Sequence, residues 1–168
     1  MSTTPDGLVA ELKSTKEFFE RSTRCLTEDD SSFAPVEGMW TVAQHVAHVA
    51  QTIDWFFEGA FRPEGFDLDW EKHGKEVAAV RSLGAARAWL DAAFARALES
   101  LTSRPAEEIF GLLPPNPILG EVPRSTIVSS IVDHSAHHRG ALTVYSRLRG
   151  KVPAMPYMEM EAPAEVTA

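Results

Sequence analysis

The chain has 168 residues, and its 16 Lys+Arg against 24 Asp+Glu give a net charge of −8. That length suits one domain, and 44% hydrophobic with 24% charged residues supplies a packed core, which excludes wholesale disorder. The acidic balance excludes the basic footprint that nucleic acid or an anionic membrane surface requires, and no uninterrupted apolar stretch is long enough to span a bilayer. Cys25 stands alone, so no intramolecular disulfide is expected, and MSTTPDGLV has neither the basic nor the apolar region of an export signal. The expected compartment is the cytoplasm.

Thr4 followed by Pro5 reads as a helix cap, and Leu8, Leu12, Phe19 and Leu26 recur at helical spacing, which predicts a first helix from Pro5 to Leu26. The acidic, turn-rich TEDDSSFAPVEGM is a surface connection. Thr41-Val-Ala-Gln44 is a capping box opening a second helix, Thr41 to Ala60, whose stripe of Val42, His45, Val49, Ile53 and Phe56 is apolar except for one imidazole. Residues 61–81 read as a long connection carrying Phe61, Phe66 and Trp70. A third helix runs from Ser82 to Ser103 and Pro105 ends it; LLPPNPILGEVP, with four prolines, is an extended crossover. A fourth helix opens after Pro123, capped by Ser125, and carries Ile127, Ile131, His134, His138, Leu142 and Tyr145 in one stripe until Gly150 stops it. No strand pattern or internal repeat appears. The expected fold is an all-α four-helix bundle with crossover connections, one domain over residues 1–154, followed by an extended, partly disordered tail over 155–168.

Five of the six histidines fall in two short runs, His45 with His48 and His134 with His137 and His138; only His73 lies outside, in a charged loop where it should face solvent. A helix turns about 100° per residue, so His134 and His138 differ by about 40° and stack on one face. That face is the apolar stripe, where each unpaired ring nitrogen costs about 1–3 kcal/mol, and a divalent metal would satisfy both rings. The second helix offers His48 and His45 as further ligands. Three histidines would leave a coordination position open, the pattern of a catalytic ion, whereas four would close the site. His137 points about 100° away from His138, towards neighbouring groups or the surface. Ser135 after His134 excludes an HExxH metalloprotease, the absence of Glu-x-x-His pairs excludes a di-iron bundle, and the lone Cys25 excludes a zinc knuckle. The alternative is a set of surface histidines on a shallow bundle.

WTVAQHVAHVAQTIDWF followed by VDHSAHHRGALTVYSRLRGKVP resembles the DinB superfamily of DinB/YfiT-like metalloenzymes, through the Trp-Thr-Val opening, a histidine eight residues after Trp40, and the His-x-x-x-His-Arg-Gly run. The resemblance implies an up-down-down-up bundle, a homodimer, and a divalent ion, zinc or nickel foremost, held by His48, His134 and His138. His45 stands where such proteins usually carry an apolar or variable residue, as a fourth ligand or a partner of the others. Arg139 would pair with an acid or sit at the dimer interface, and Gly140 would permit close helix approach. The implied activity is thiol-dependent transfer on a small-molecule substrate, with a low-molecular-weight thiol such as bacillithiol or mycothiol as cosubstrate. Metal-dependent hydrolysis and a non-catalytic, metal-stabilised stress-response dimer are the alternatives. Gln51, Thr52, Trp55 and Tyr145 lie one or two turns beyond the ligands and are the expected pocket, while Phe66 and Trp70 would close over it or pack on the third helix.

Overall fold

The computed structural model describes residues 4–159, and among these the regular structure is entirely helical apart from one isolated bridge between Leu112 and Pro123. The helices are α1 (Pro5–Thr23), α2 (Val42–Phe61), α3 (Trp70–Ala79), α4 (Leu83–Ser103), α5 (Ala106–Phe110) and α6 (Thr126–Leu148). Three of the long helices begin where side-chain oxygens satisfy their free amides. Thr4 accepts from the Gly7 N–H at 3.2 Å, Ser82 from that of Ala85 at 3.1 Å, and Thr41 and Gln44 exchange bonds across the start of α2.

The four long helices form the bundle, with α2 packed between α4 and α6, and α1 closing the ring on the other side. Hydrogen bonds fix their directions. Ser31 accepts from the Leu83 N–H through its hydroxyl and from the Ala43 N–H through its carbonyl, so α2 and α4 start at the same end and run parallel. Arg124, just before α6, reaches the Ala60 carbonyl at the end of α2, so α6 is antiparallel to α2. The ends of α1 and α6 meet through Cys25 and Ser146. The order is therefore up, down, down, up, as the family resemblance implies. Leu12, Phe19, Ile53, Phe94, Ile131 and Leu142, all at most 1% exposed, fill the centre.

Several expectations are corrected. The first helix stops at Thr23 rather than Leu26, because Arg87 of α4 takes the Thr23 and Leu26 carbonyls at 2.9 and 3.1 Å and the chain turns there. Residues 61–81 are not a plain connection: Asp69 caps α3 by accepting from the Lys72 N–H at 2.9 Å. Ser125 makes no side-chain cap; α6 opens instead with backbone turns such as Val128 N–H to the Ser125 carbonyl, 3.1 Å. Phe66 packs on Trp55 and Phe56 of α2, in a fit that requires Gly59, since a Cβ there would overlap the Phe66 ring. Arg139 pairs with no acid among the described residues and lies over the Tyr157 ring, 5.6 Å from its centroid, and a Cβ placed on Gly140 would meet nothing within 4 Å outside its own helix backbone.

After α6 the chain runs back along α1, with Tyr157 edge-on to Phe18 at 5.2 Å and Glu159 bound by Arg21 and Arg24. The expectation of disorder at 160–168 falls outside the described residues. Among the described residues no helix is long and apolar enough to cross a membrane.

Candidate metal centre

Because α2 and α6 are antiparallel, one turn back along α2 is one turn forward along α6. His48 therefore meets His134, and His45 meets His138 and, further on, Tyr145. The His134 and His48 Nε2 atoms stand 3.1 Å apart, and nitrogens of His48, His134 and His138 all lie within 4.8 Å of one another. Two ligands about 2.0–2.1 Å from one tetrahedral ion are about 3.3–3.4 Å apart, so the His48–His134 pair fits a metal with only a small adjustment.

His45 stands outside this group and touches it from behind. Its Nδ1 is 3.1 Å from the His138 Nδ1, and its Nε2 is 3.2 Å from the Tyr145 hydroxyl, which donates to the Trp40 carbonyl at 3.0 Å. The direction of this chain follows from its end. A carbonyl only accepts, so the Tyr145 proton is committed to it and His45 donates to Tyr145 from Nε2. His45 Nδ1 is then the acceptor for His138 Nδ1–H, which leaves the Nε2 lone pair of His138 free. The Trp40 ring covers the assembly, 4.4 Å from the His48 centroid and 6.0 Å from that of His138.

Burial holds these imidazoles neutral. His48 and His134 are pushed down to about 4, first by burial and then by neighbouring histidines. His45 is also lowered to about 4 by burial and by His137, and His138 to about 2 by burial and by His134, His48, His45 and His137. At pH 7 each offers a lone pair with no proton to displace.

A cavity of about 360 Å³ opens beside His48 and His134, within the size range of small-molecule sites. Gln51, Thr52 and Trp55 line it. Tyr145 is absent from the lining: in an antiparallel pair, positions beyond His48 on α2 and beyond His138 on α6 lie at opposite ends of the site. The expectation that His73 faces solvent also fails. Its side chain is 12% exposed, its Nε2 lies 3.2 Å from the Asp67 carbonyl, and it lines the cavity with Trp70, while His137 is exposed. Trp40, His73, Gly74, Val77 and Ile118 are lining residues that sequence reasoning missed. Asp69, a residue type suited to cap a helix, is the signal that could have placed His73, Gly74 and Val77 on α3.

An all-helical bundle whose parallel middle helices require long crossovers, with three imidazoles converging between two of its helices, defines the class of protein. The chain belongs to the DinB family, whose sequence model matches residues 1–165. A DinB-like protein from Bacillus cereus ATCC 10987 superposes with a TM-score of 0.70 at 22% identity, covering 92% of this chain and 99% of that one. YfiT from Bacillus subtilis, described as a probable metal-dependent hydrolase with an unusual four-helix bundle topology, gives 0.68 at 18% identity over 90% of each chain. A mycothiol-dependent maleylpyruvate isomerase gives 0.68 at 15% identity, covering 83% of this chain and 60% of the isomerase. These likenesses are of fold. No curated protein matches the chain in sequence.

Proposed function

We propose that the protein is a divalent-metal enzyme acting on a small molecule, with His48, His134 and His138 holding the ion, zinc or nickel, and the adjoining cavity receiving the substrate. The observation that carries this reading is the convergence of three neutral imidazoles from two helices at the edge of one cavity. A divalent ion bound by neutral ligands keeps its full charge and would supply a Lewis acid that favours a thiolate, or a hydroxide, at neutral pH. Thiol-dependent transfer with a low-molecular-weight thiol cosubstrate is the reaction we favour. The all-imidazole donor set supports it, and so does the fold shared with an isomerase that uses mycothiol.

The chain's own residues prepare the site. Tyr145 and His45 hold the His138 proton on Nδ1 and so direct its Nε2 lone pair at the other two rings; Trp40 excludes water above them. Groups that orient a metal-bound histidine in this way are worth about 10- to 100-fold in metal affinity. His45→Phe keeps an aromatic ring of similar breadth but removes the acceptor, and is expected to weaken zinc binding by that factor in a chelator competition assay. Unchanged affinity would mean that the chain of hydrogen bonds does not orient His138.

The reaction is tested by loading the protein with Zn²⁺ or Ni²⁺ and following turnover of an electrophile such as 1-chloro-2,4-dinitrobenzene with and without a small thiol. Thiol-dependent turnover that disappears on chelation is the expected result. Metal-dependent cleavage of a p-nitrophenyl ester without thiol would replace transfer by hydrolysis, and stabilisation by metal with neither activity would leave a structural ion.

A further inference from the structure

The walls of the cavity restrict what can occupy it. Trp40, Trp55 and Trp70 contribute three indole rings and Phe56, Val77 and Ile118 further apolar surface; no lysine, arginine, aspartate or glutamate is among its lining residues. The Trp55 N–H donates to the Asp67 carbonyl at 2.7 Å, which fixes that ring and removes its polar edge from the reach of a ligand. Trp70 lies 5.5 Å from it, centroid to centroid, and is 58% exposed at the mouth. Gly74 opens the same wall, with nothing within 4 Å of a Cβ placed there.

The charge behind this wall is negative. An adjoining hollow shares Gln51, Trp55 and His73 with the cavity and is bordered by Asp54, Glu58, Asp67 and Glu76. Arg96 pairs with Asp54 and Lys72 with Asp67, which leaves an excess of carboxylate. An anionic group among the indoles would lose its water, gain no counter-charge and feel that excess. A flat uncharged ring loses nothing by leaving water and gains aromatic contact.

We propose that the cavity binds a neutral aromatic portion of the substrate, one or two rings held against Trp40, Trp55 and Trp70, with the reacting end towards His48 and His134. The placement of the reacting end rests on the metal-enzyme reading; the aromatic subsite does not.

Calorimetric titration of metal-free protein with 2-naphthol and with 2-naphthoate tests it. Saturable one-to-one binding of the naphthol is expected, with the naphthoate at least about tenfold weaker, because the same ring then carries an unpaired charge. Trp70→Ala, which removes a wall, and Gly74→Leu, which crowds one, should each weaken naphthol binding by about tenfold while leaving the thermal unfolding transition intact. Equal or tighter binding of the naphthoate, no binding of the naphthol, or naphthol affinity unmoved by both variants would overturn the proposal. Without metal present, these outcomes are independent of whether the three histidines hold an ion, which metal analysis of the same preparations decides separately.

Discussion

Replacing His134 by alanine will leave the bundle folded and weaken binding of Zn²⁺ or Ni²⁺ by at least about a hundredfold, because it removes one of three donors and, among the described residues, no carboxylate completes the group. His134 is the cleanest of the three to remove. Among the described residues its ring nitrogens meet only His48, so its loss disturbs no other hydrogen bond, whereas His138→Ala would also strip His45 of one of its two partners. Titration calorimetry with each metal, beside circular dichroism of both proteins, makes the comparison, and equal affinities would remove the site. A pH series adds a second test. Histidines in water hold protons below about pH 6.5 and lose metal there, but His48 and His134 sit near 4. Metal affinity of the parent protein should therefore stay level from pH 8 down to about 5 and fall only as pH approaches 4.

Asp30→Asn will lower stability by about 3 kcal/mol, the lower end of the cost of breaking a buried ion pair, because its cationic partners can relax into water. The Asp30 side chain is 1% exposed and takes bonds from the Thr27 N–H at 2.8 Å, from Arg149 Nε at 3.0 Å and from Lys151. Burial works to raise its pKa but is outweighed by Lys151, Thr27 and Arg149, so the carboxyl titrates well below the usual range. At about 2–4 °C per kcal/mol for a chain of this size, the melting temperature should drop by about 6–12 °C at pH 7. The sign of the pH dependence follows from the depressed pKa. The contribution is fully present above the unfolded-state value near 3.9 and is lost as pH falls through the lower folded value, so parent and variant should converge in urea midpoint below about pH 4. The buried histidines destabilise both proteins on acidification and cancel in the difference. A gap that persists undiminished at low pH would mean that packing, not charge, makes Asp30 important.

The two cases differ in how far the sequence discloses them. His134 and His138 announce themselves because a local repeat, four residues on one helix, decides that they share a face. The long helices are legible for the same reason: their caps and apolar stripes lie within a few residues of one another. Asp30 carries no such mark, since Arg149 and Lys151 come from the far end of the chain and only the folded bundle unites them. His45 and His48 are an intermediate case. Both lie on the inner side of α2, and spacing alone cannot rank them; the antiparallel run of α6 sends one to His134 and the other to Tyr145. That same direction sets Tyr145 beside His45, at the other end of the site from Gln51, Thr52 and Trp55. The short α3 escaped because a ten-residue helix in a charged segment has too few apolar positions to show a period.

Parallel travel of α2 and α4 obliges the chain to retrace the length of the bundle between them, and the retracing segment supplies Trp70, His73, Gly74 and Val77 to the cavity. In a simple up-and-down bundle that span would be a tight turn, and the histidine pair at the helix interface would look out on solvent. The connection thus separates two inheritances within one small protein: α2 and α6 keep the donors, while a segment that bears little of the bundle's packing sets the shape and polarity of the chamber. Substitutions in the second can retune what enters without touching the first, a division under which one chemistry can be passed among many substrates.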